Sequence, residues 1–323
     1  MFGVALRSAL AIVALGACAS FTIAADIKTV KITQIVEHPA LDSTRRGIVD
    51  ELGAQGFKEG QNLKIEYQSA QGDVGTAGQI AQKFVGDNPD VIVPISTPSA
   101  QAVVAAAKGR LPVVFTAVTD PVAAKLVSDP KKPGANVTGI SDLSPLDKHL
   151  ALIRSAAPKA KTIGVPFNPG EANAVVLVKR LKELAPAAGL SIVEAPAPSS
   201  GDVLASARSL VGKVDAIYVP TDNTVVQALE AVLKTGIEAK IPVFAGDTDS
   251  VKRGAVAAIG FDYYDVGRQT GKVVSRVLKG EKPGDIAVEG VSITQLHVNP
   301  GAAQKMGLTL PESLIKDAKT VIK

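Results

Sequence analysis

The sequence predicts an α/β chain made of two doubly wound parallel-sheet lobes joined by a hinge, and three observations carry that expectation. Short β-rich runs ending in Gly, Pro, Asn, Asp or Ser alternate with longer amphipathic runs, the pattern of βα units around a parallel sheet. The 323 residues exceed one ordinary domain, at roughly 100–200 residues each. The two halves also echo each other. Val36-Glu37-His38-Pro39 matches Pro166-Phe167-Asn168-Pro169, and Leu111-Pro112-Val113-Val114-Phe115 matches Ile241-Pro242-Val243-Phe244, both at an offset of 130. Between them, Asp90 to Thr97 resembles Asp215 to Asp222 at an offset of 125. Three matches in one order point to two copies of a single αβ unit.

Residues 1–25 are expected to be a secretory signal: Arg7, an apolar run from Ala9 to Ala17, then small residues before Asp26. The run falls short of the ~20 apolar residues that span a bilayer. Cleavage after Thr22-Ile23-Ala24-Ala25 would release a soluble chain. Leu15-Gly16-Ala17-Cys18 instead reads as a lipobox, which would leave the protein anchored through Cys18. Expected strands follow at Val30–Val36, Leu63–Gln68, Val91–Ile95, Val113–Thr116 and Val137–Ile140. The second half repeats the series at Thr162–Phe167, Ser191–Ala195, Ala216–Val219, Val243–Ala245 and Ala255–Ile259. Between them, Leu41–Gln55, Pro98–Lys108, Ala172–Ala188, Val225–Ala239 and Tyr264–Leu278 read as helices.

Composition excludes several functions. The formal charge of +4 is spread among mixed signs with no basic stripe, and aromatics make up 4% with no Trp, so nucleic acid is not an expected partner. Cys18 is the only cysteine, which leaves no thiol in the folded part for disulfides, metal sites or nucleophilic catalysis. No G-x-S-x-G, H-E-x-x-H, P-loop or G-x-G-x-x-G occurs, and Gly72-x-x-Gly75-x-x-Gly78 has the wrong spacing for a dinucleotide turn. Asp247-x-Asp249 alone is a weak metal signal. The chain is therefore expected to be no enzyme and to use no cofactor or metal.

An open parallel sheet binds ligands beyond the carboxyl ends of its strands, and polar residues cluster there in both halves. The expected cleft is lined by His38, Ser96, Thr97, Thr119 and Asp120 from one side. Asn168, Glu171, Asn173, Thr221, Asp222, Asn223 and Asp247 line it from the other. In Ile95-Ser96-Thr97-Pro98-Ser99 a strand ends in hydroxyls before a helix whose free N–H groups favour an anion such as a carboxylate, although Thr97 could equally serve as a cap. Asp222 and Asp247 are the candidates to balance an ammonium group, since an unpaired buried charge is costly; each could instead serve a turn or cap. Asn168 and Glu171 could likewise be cap and turn residues. His149 and His297 have no such placement.

The chain resembles the ABC-transporter substrate-binding proteins of the tryptophan/tyrosine-binding type. The residues carrying the resemblance are Ile35 to Asp42, Ile95-Ser96-Thr97-Pro98, Val118-Thr119-Asp120-Pro121, Gly134 to Gly139, Asn168 to Asn173, Val214 to Asp249 and Phe261 to Gly271. Together they span nearly the whole chain after the signal. The resemblance implies a periplasmic-binding-protein type I fold with three crossings, near Asp142, Phe261 and Pro283. The first lobe is then 26–142 plus about 262–283, and the second 143–261 plus about 284–323. It also implies a monomer in the periplasm that hands a small polar ligand, an aromatic amino acid foremost, to a membrane permease and its ATPase. A sugar- or nucleoside-like ligand, or a sensing role without transport, is the alternative.

Overall fold

The computed structural model describes residues 27–323; the expected signal and Cys18 lie outside them. The first lobe grows from β1 (Lys28–Gln34), whose Val30 and Ile32 are wholly buried, through α1 (Pro39–Ala54) to β2 (Leu63–Ser69). Asp73 then starts α2 (Val74–Gly86) by accepting the Thr76 N–H at 2.6 Å, the usual side-chain answer to the orphan donors of a helix start. β3 (Val91–Ile95), α3 (Thr97–Ala107), β4 (Val113–Val118) and β5 (Val137–Ser141) follow. The near-continuous apolar runs of β3 and β4 are buried throughout, as strands covered by helices on both faces require.

The second lobe repeats the scheme with α4 (Leu146–Ala156), β6 (Thr162–Phe167), α5 (Ala172–Leu184), β7 (Ser191–Pro196), α6 (Val203–Ser209) and β8 (Ala216–Val219). It continues through α7 (Asn223–Gln227), α8 (Leu229–Ala239), β9 (Val243–Ala245), α9 (Asp249–Arg253) and β10 (Ala257–Gly260). The chain then recrosses as α10 (Tyr263–Leu278) and β11 (Glu289–Gly290), and finishes with β12 (Gln295–Val298), α11 (Pro300–Lys305), α12 (Glu312–Asp317) and β13 (Thr320–Val321).

The strand orders explain the sequence echo. One sheet runs β2-β1-β3-β4-β5-β11 and the other β7-β6-β8-β9-β10-β12-β13, so the first five strands of each follow one path. Each lobe has its own apolar core, and no residue belongs to both. Sheet order reverses direction at β1 in one lobe and at β6 in the other. The crevices that open at these reversals are where the two lobes meet.

Four departures from the sequence reading have local causes. The helix expected over Val225–Ala239 breaks at Ala228, whose backbone leaves helical geometry (φ −104°, ψ 27°). The helix expected to reach Ala188 tightens to a 3₁₀ turn at Ala185–Ala188, where Pro186 offers no N–H and Gly189 closes the turn at φ 67°. The short strands β11, β12 and β13 were not foreseen, because two to four residues carry no readable alternation, and β12 runs antiparallel to β10.

The fourth departure is the last crossing, expected near Pro283. Glu289 and Gly290 pair with Ile140 and Ser141, Thr138 Oγ1 donates to the Ile286 carbonyl at 2.7 Å, and the Val288 N–H reaches the Pro130 carbonyl at 2.7 Å. These bonds hold residues 284–290 on the first sheet, so the chain crosses after Gly290.

What ties the returning α10 to the first lobe is close backbone contact with α1. A Cβ on Gly267 would lie 2.1 Å from the Thr44 carbonyl oxygen, and one on Gly47 2.2 Å from that of Tyr264. Only glycine allows this approach, so Gly267→Ala should lower stability by ~1–3 kcal/mol through overpacking, measured as a shift in the urea midpoint.

Candidate functional site

Because both sheets present the carboxyl ends of their strands to each other, the loops that follow them line a cavity with about 350 Å³ of empty space, solvent-open space included. From the first lobe come His38 after β1, Ser96 after β3, Thr119 after β4 and Asp142 after β5. From the second come Asn173 on α5, Thr221, Asp222 and Asn223 after β8, and Asp247 after β9. Tyr263 opens α10, and Ala40, Leu41, Ala117 and Val226 supply apolar surface. Among the described residues, no Lys or Arg lines the cavity.

Backbone strain gathers at the same place. Ser96 has φ 79° and ψ 155°, a region that residues other than glycine rarely enter, and Ala117 has φ 52° beside a register shift between β4 and β5. Such conformations cost on the order of 1–3 kcal/mol each and cluster at ligand clamps. The strained Ser96 aims its hydroxyl across the cleft, donating to Asn223 Oδ1 at 3.0 Å.

Asn223 passes this contact on by donating its amide to Glu171. Glu171 also accepts from Asn173 Nδ2 at 3.0 Å, Thr224 N–H at 3.0 Å and Thr224 Oγ1 at 2.8 Å. A second contact between the lobes lies outside the cavity, where Arg180 on α5 pairs with Asp120 at 3.0 Å. Both contacts run through α5 or its start.

Eight of the twelve expected residues therefore line the cavity: His38, Ser96, Thr119, Asn173, Thr221, Asp222, Asn223 and Asp247. The other four lie outside it for identifiable reasons. Thr97 is the buried first residue of α3. Asp120 holds the Val122 and Ala123 N–H groups and Arg180. Asn168 binds Thr224 Oγ1 and the Gly170 N–H, and Glu171 gathers the loop around Asn223.

Two polar residues that sequence reasoning did not place in the site, Asp142 and Tyr263, belong to it. Each sits at a crossing of the chain, and that position was the only signal available. The aromatics Phe115, Phe167, Tyr218 and Phe244 are core residues.

The three cavity aspartates are not equivalent. Asp222 caps α7 by accepting the Val225 N–H at 2.9 Å through Oδ1, and takes the Asn168 N–H at 2.6 Å through Oδ2. Asp247 accepts the Ser250 N–H at 2.8 Å and the Ser250 hydroxyl. Asp142 receives the Tyr263 hydroxyl on Oδ2 at 2.7 Å, while its buried Oδ1 has no partner. Burial raises all three carboxyls above the ordinary range, and the nearby Glu171 charge pushes Asp222 further. Burial, then the charge of Arg253, lowers His38 from 6.5 to about 4. No group of three or more His, Cys, Asp or Glu among the described residues could hold a metal.

A two-lobed α/β protein with a polar, closed cavity between its lobes is a ligand-binding protein of the periplasmic-binding-protein type I class. The chain belongs to the family described as ABC transporter substrate binding protein, which matches residues 29–322. It is 44% identical over 272 residues to the tyrosine-binding protein of Clostridioides difficile (strain R20291), covering 84% of this chain and 79% of that one.

Two solved structures cover 91–92% of this chain and 99% of their own. One is an ABC domain in complex with L-Trp from Streptococcus pneumonia, 37% identical with a TM-score of 0.88. The other is the ligand-free, open structure of a substrate-binding protein with adhesive properties from Clostridium difficile, 44% identical with a TM-score of 0.69. The less similar sequence is the better match in shape. Solute-binding proteins at 15–16% identity share the fold alone. Among the described residues, no helix is long and apolar enough to cross a membrane.

Two expectations follow. Arg180→Ala removes a partly exposed ion pair and should disfavour closure by roughly 0.2–1 kcal/mol, read as a small rise in radius of gyration by X-ray scattering. Unfolded His38 binds a proton near pH 6.5 that the folded protein refuses until about pH 4. His38 therefore withdraws stability as pH falls through that window. The loss should be smaller in His38→Asn when the two proteins are compared by urea denaturation across it.

Proposed function

We propose that the protein is the extracytoplasmic binding component of an ABC importer and that it closes on an aromatic α-amino acid. The carrying observation is a set of polar atoms around the cavity. Asp142 Oδ1, Asn173 Oδ1, His38 Nδ1 and Thr221 Oγ1 are buried and have no hydrogen-bond partner. An unmatched buried polar atom costs ~1–3 kcal/mol, so a ligand that supplies the missing partners favours the closed state over the open one. Acceptors predominate among these atoms, which suits a ligand rich in N–H or O–H donors, such as an α-ammonium group.

The tyrosine-binding relative and the L-Trp complex support the aromatic class. In this reading His38, Ser96, Thr119, Asn173, Thr221, Asp222, Asn223 and Asp247 surround the ligand. The start of α3 offers backbone N–H groups to its carboxylate, and Leu41, Ala117 and Val226 receive its apolar part. The protein is exported by residues 1–25, acts as a monomer without catalysis, and delivers its cargo to a membrane permease driven by an ATPase.

Thermal denaturation of residues 26–323 against the twenty amino acids, with sugars and nucleosides as controls, tests this. A ligand at 100 times its Kd should stabilise by about 2.7 kcal/mol, and L-Tyr, L-Trp or L-Phe should give the largest shift. Shifts confined to sugars or nucleosides would replace the ligand class while leaving the importer role.

A further inference from the structure

We infer that Asp142 is the residue that receives the ligand's ammonium group, and that Tyr263 holds it in position. This rests on the amino-acid reading above. Residue type alone made Asp222 and Asp247 the candidates, yet both spend their carboxylates on the chain around them. Asp222 has one oxygen on the Val225 N–H and the other on the Asn168 N–H, and Asp247 has both on Ser250. Turning either toward a ligand would strip donors from a helix start.

Asp142 differs in three respects. It is 3% exposed and lines the cavity. Its Oδ2 is fixed by the Tyr263 hydroxyl at 2.7 Å, and its backbone N–H by the Val118 carbonyl at 3.2 Å. Its Oδ1 completes no hydrogen bond, and the nearby Thr119 hydroxyl, which also lines the cavity, favours the charged carboxylate. It therefore presents one oriented acceptor oxygen, where a charged N–H donor gains most from low dielectric.

No Lys or Arg lining the cavity competes for that oxygen. Burial disfavours the carboxylate when it stands alone, and an ammonium group reverses that preference. Asp142 follows β5 at the first crossing, and Tyr263 begins α10 at the second. The ammonium would thus rest on a pair that joins two hinge segments, and binding there stiffens the hinge in its closed setting.

The test compares each amino acid that binds, L-tyrosine or L-tryptophan, with its des-amino analogue, 3-(4-hydroxyphenyl)propanoate or 3-(indol-3-yl)propanoate, by isothermal titration. The readout is the ratio of the two affinities. Wild type should favour the amino acid by roughly 100-fold or more, since a site built around an N–H donor rejects analogues lacking it.

Asp142→Asn keeps the shape and an acceptor for Tyr263 but removes the charge, and should collapse the ratio to within about tenfold of unity. Asp222→Asn and Asp247→Asn should weaken both ligands together and preserve the ratio. Should Asp142→Asn fail to fold, Tyr263→Phe is the second probe; by loosening the carboxylate it should reduce the ratio of the two affinities several-fold. A ratio unchanged in Asp142→Asn and Tyr263→Phe, or one that collapses only in Asp222→Asn or Asp247→Asn, overturns the assignment while the amino-acid reading stands. Wild type that binds no amino acid overturns both.

Discussion

A polar cavity between the carboxyl ends of two sheets must find a partner for every donor and acceptor it buries, and most of this structure can be understood from that requirement. The helix starts answer part of it. Asp222 caps α7, Asp247 secures the turn before α9, and Glu171 collects the amides and hydroxyls of the loop after β8. These carboxylates look like ligand contacts from their residue type and position, and their oxygens accept hydrogen bonds from the chain around them. What remains unmatched around the cavity is a short set of atoms on Asp142, Asn173, His38 and Thr221, and the proposed ligand chemistry rests on that set.

Closure depends on how the chain threads between the lobes. Three passages join them, and the second is anchored by the α1–α10 contact, where glycine backbones touch. The third comes late because β11 stays paired to β5. With both returning segments held on the first lobe, each lobe keeps its own core. The strained Ser96, which reaches over to Asn223, is a local cost that closure sets against contact with the other lobe.

Much of the architecture was legible in the residues. Strand runs such as Val91–Ile95, Thr162–Phe167, Ala216–Val219 and Val243–Ala245 have the bounds that their apolar character and flanking turn residues suggested. The internal echo anticipated the shared strand order of the two sheets. Eight cleft residues followed from one rule about where open sheets place their loops. The C-terminal strands were hidden because pairing partners far away in sequence, and not local alternation, make two-residue strands stable.

The sequence by itself determined the α/β class, the doubling of one unit and the side on which the polar loops gather, since periodicity and turn chemistry are local properties of the chain. Only the tertiary structure decided which of those polar groups face the cavity with a free atom. Asp120 went to Arg180 and Glu171 to Asn223, while Asp142 and Tyr263 entered from the hinge. The physical reason is that hydrogen-bond satisfaction is settled among residues 52 to 121 positions apart in the chain, which local pattern cannot register.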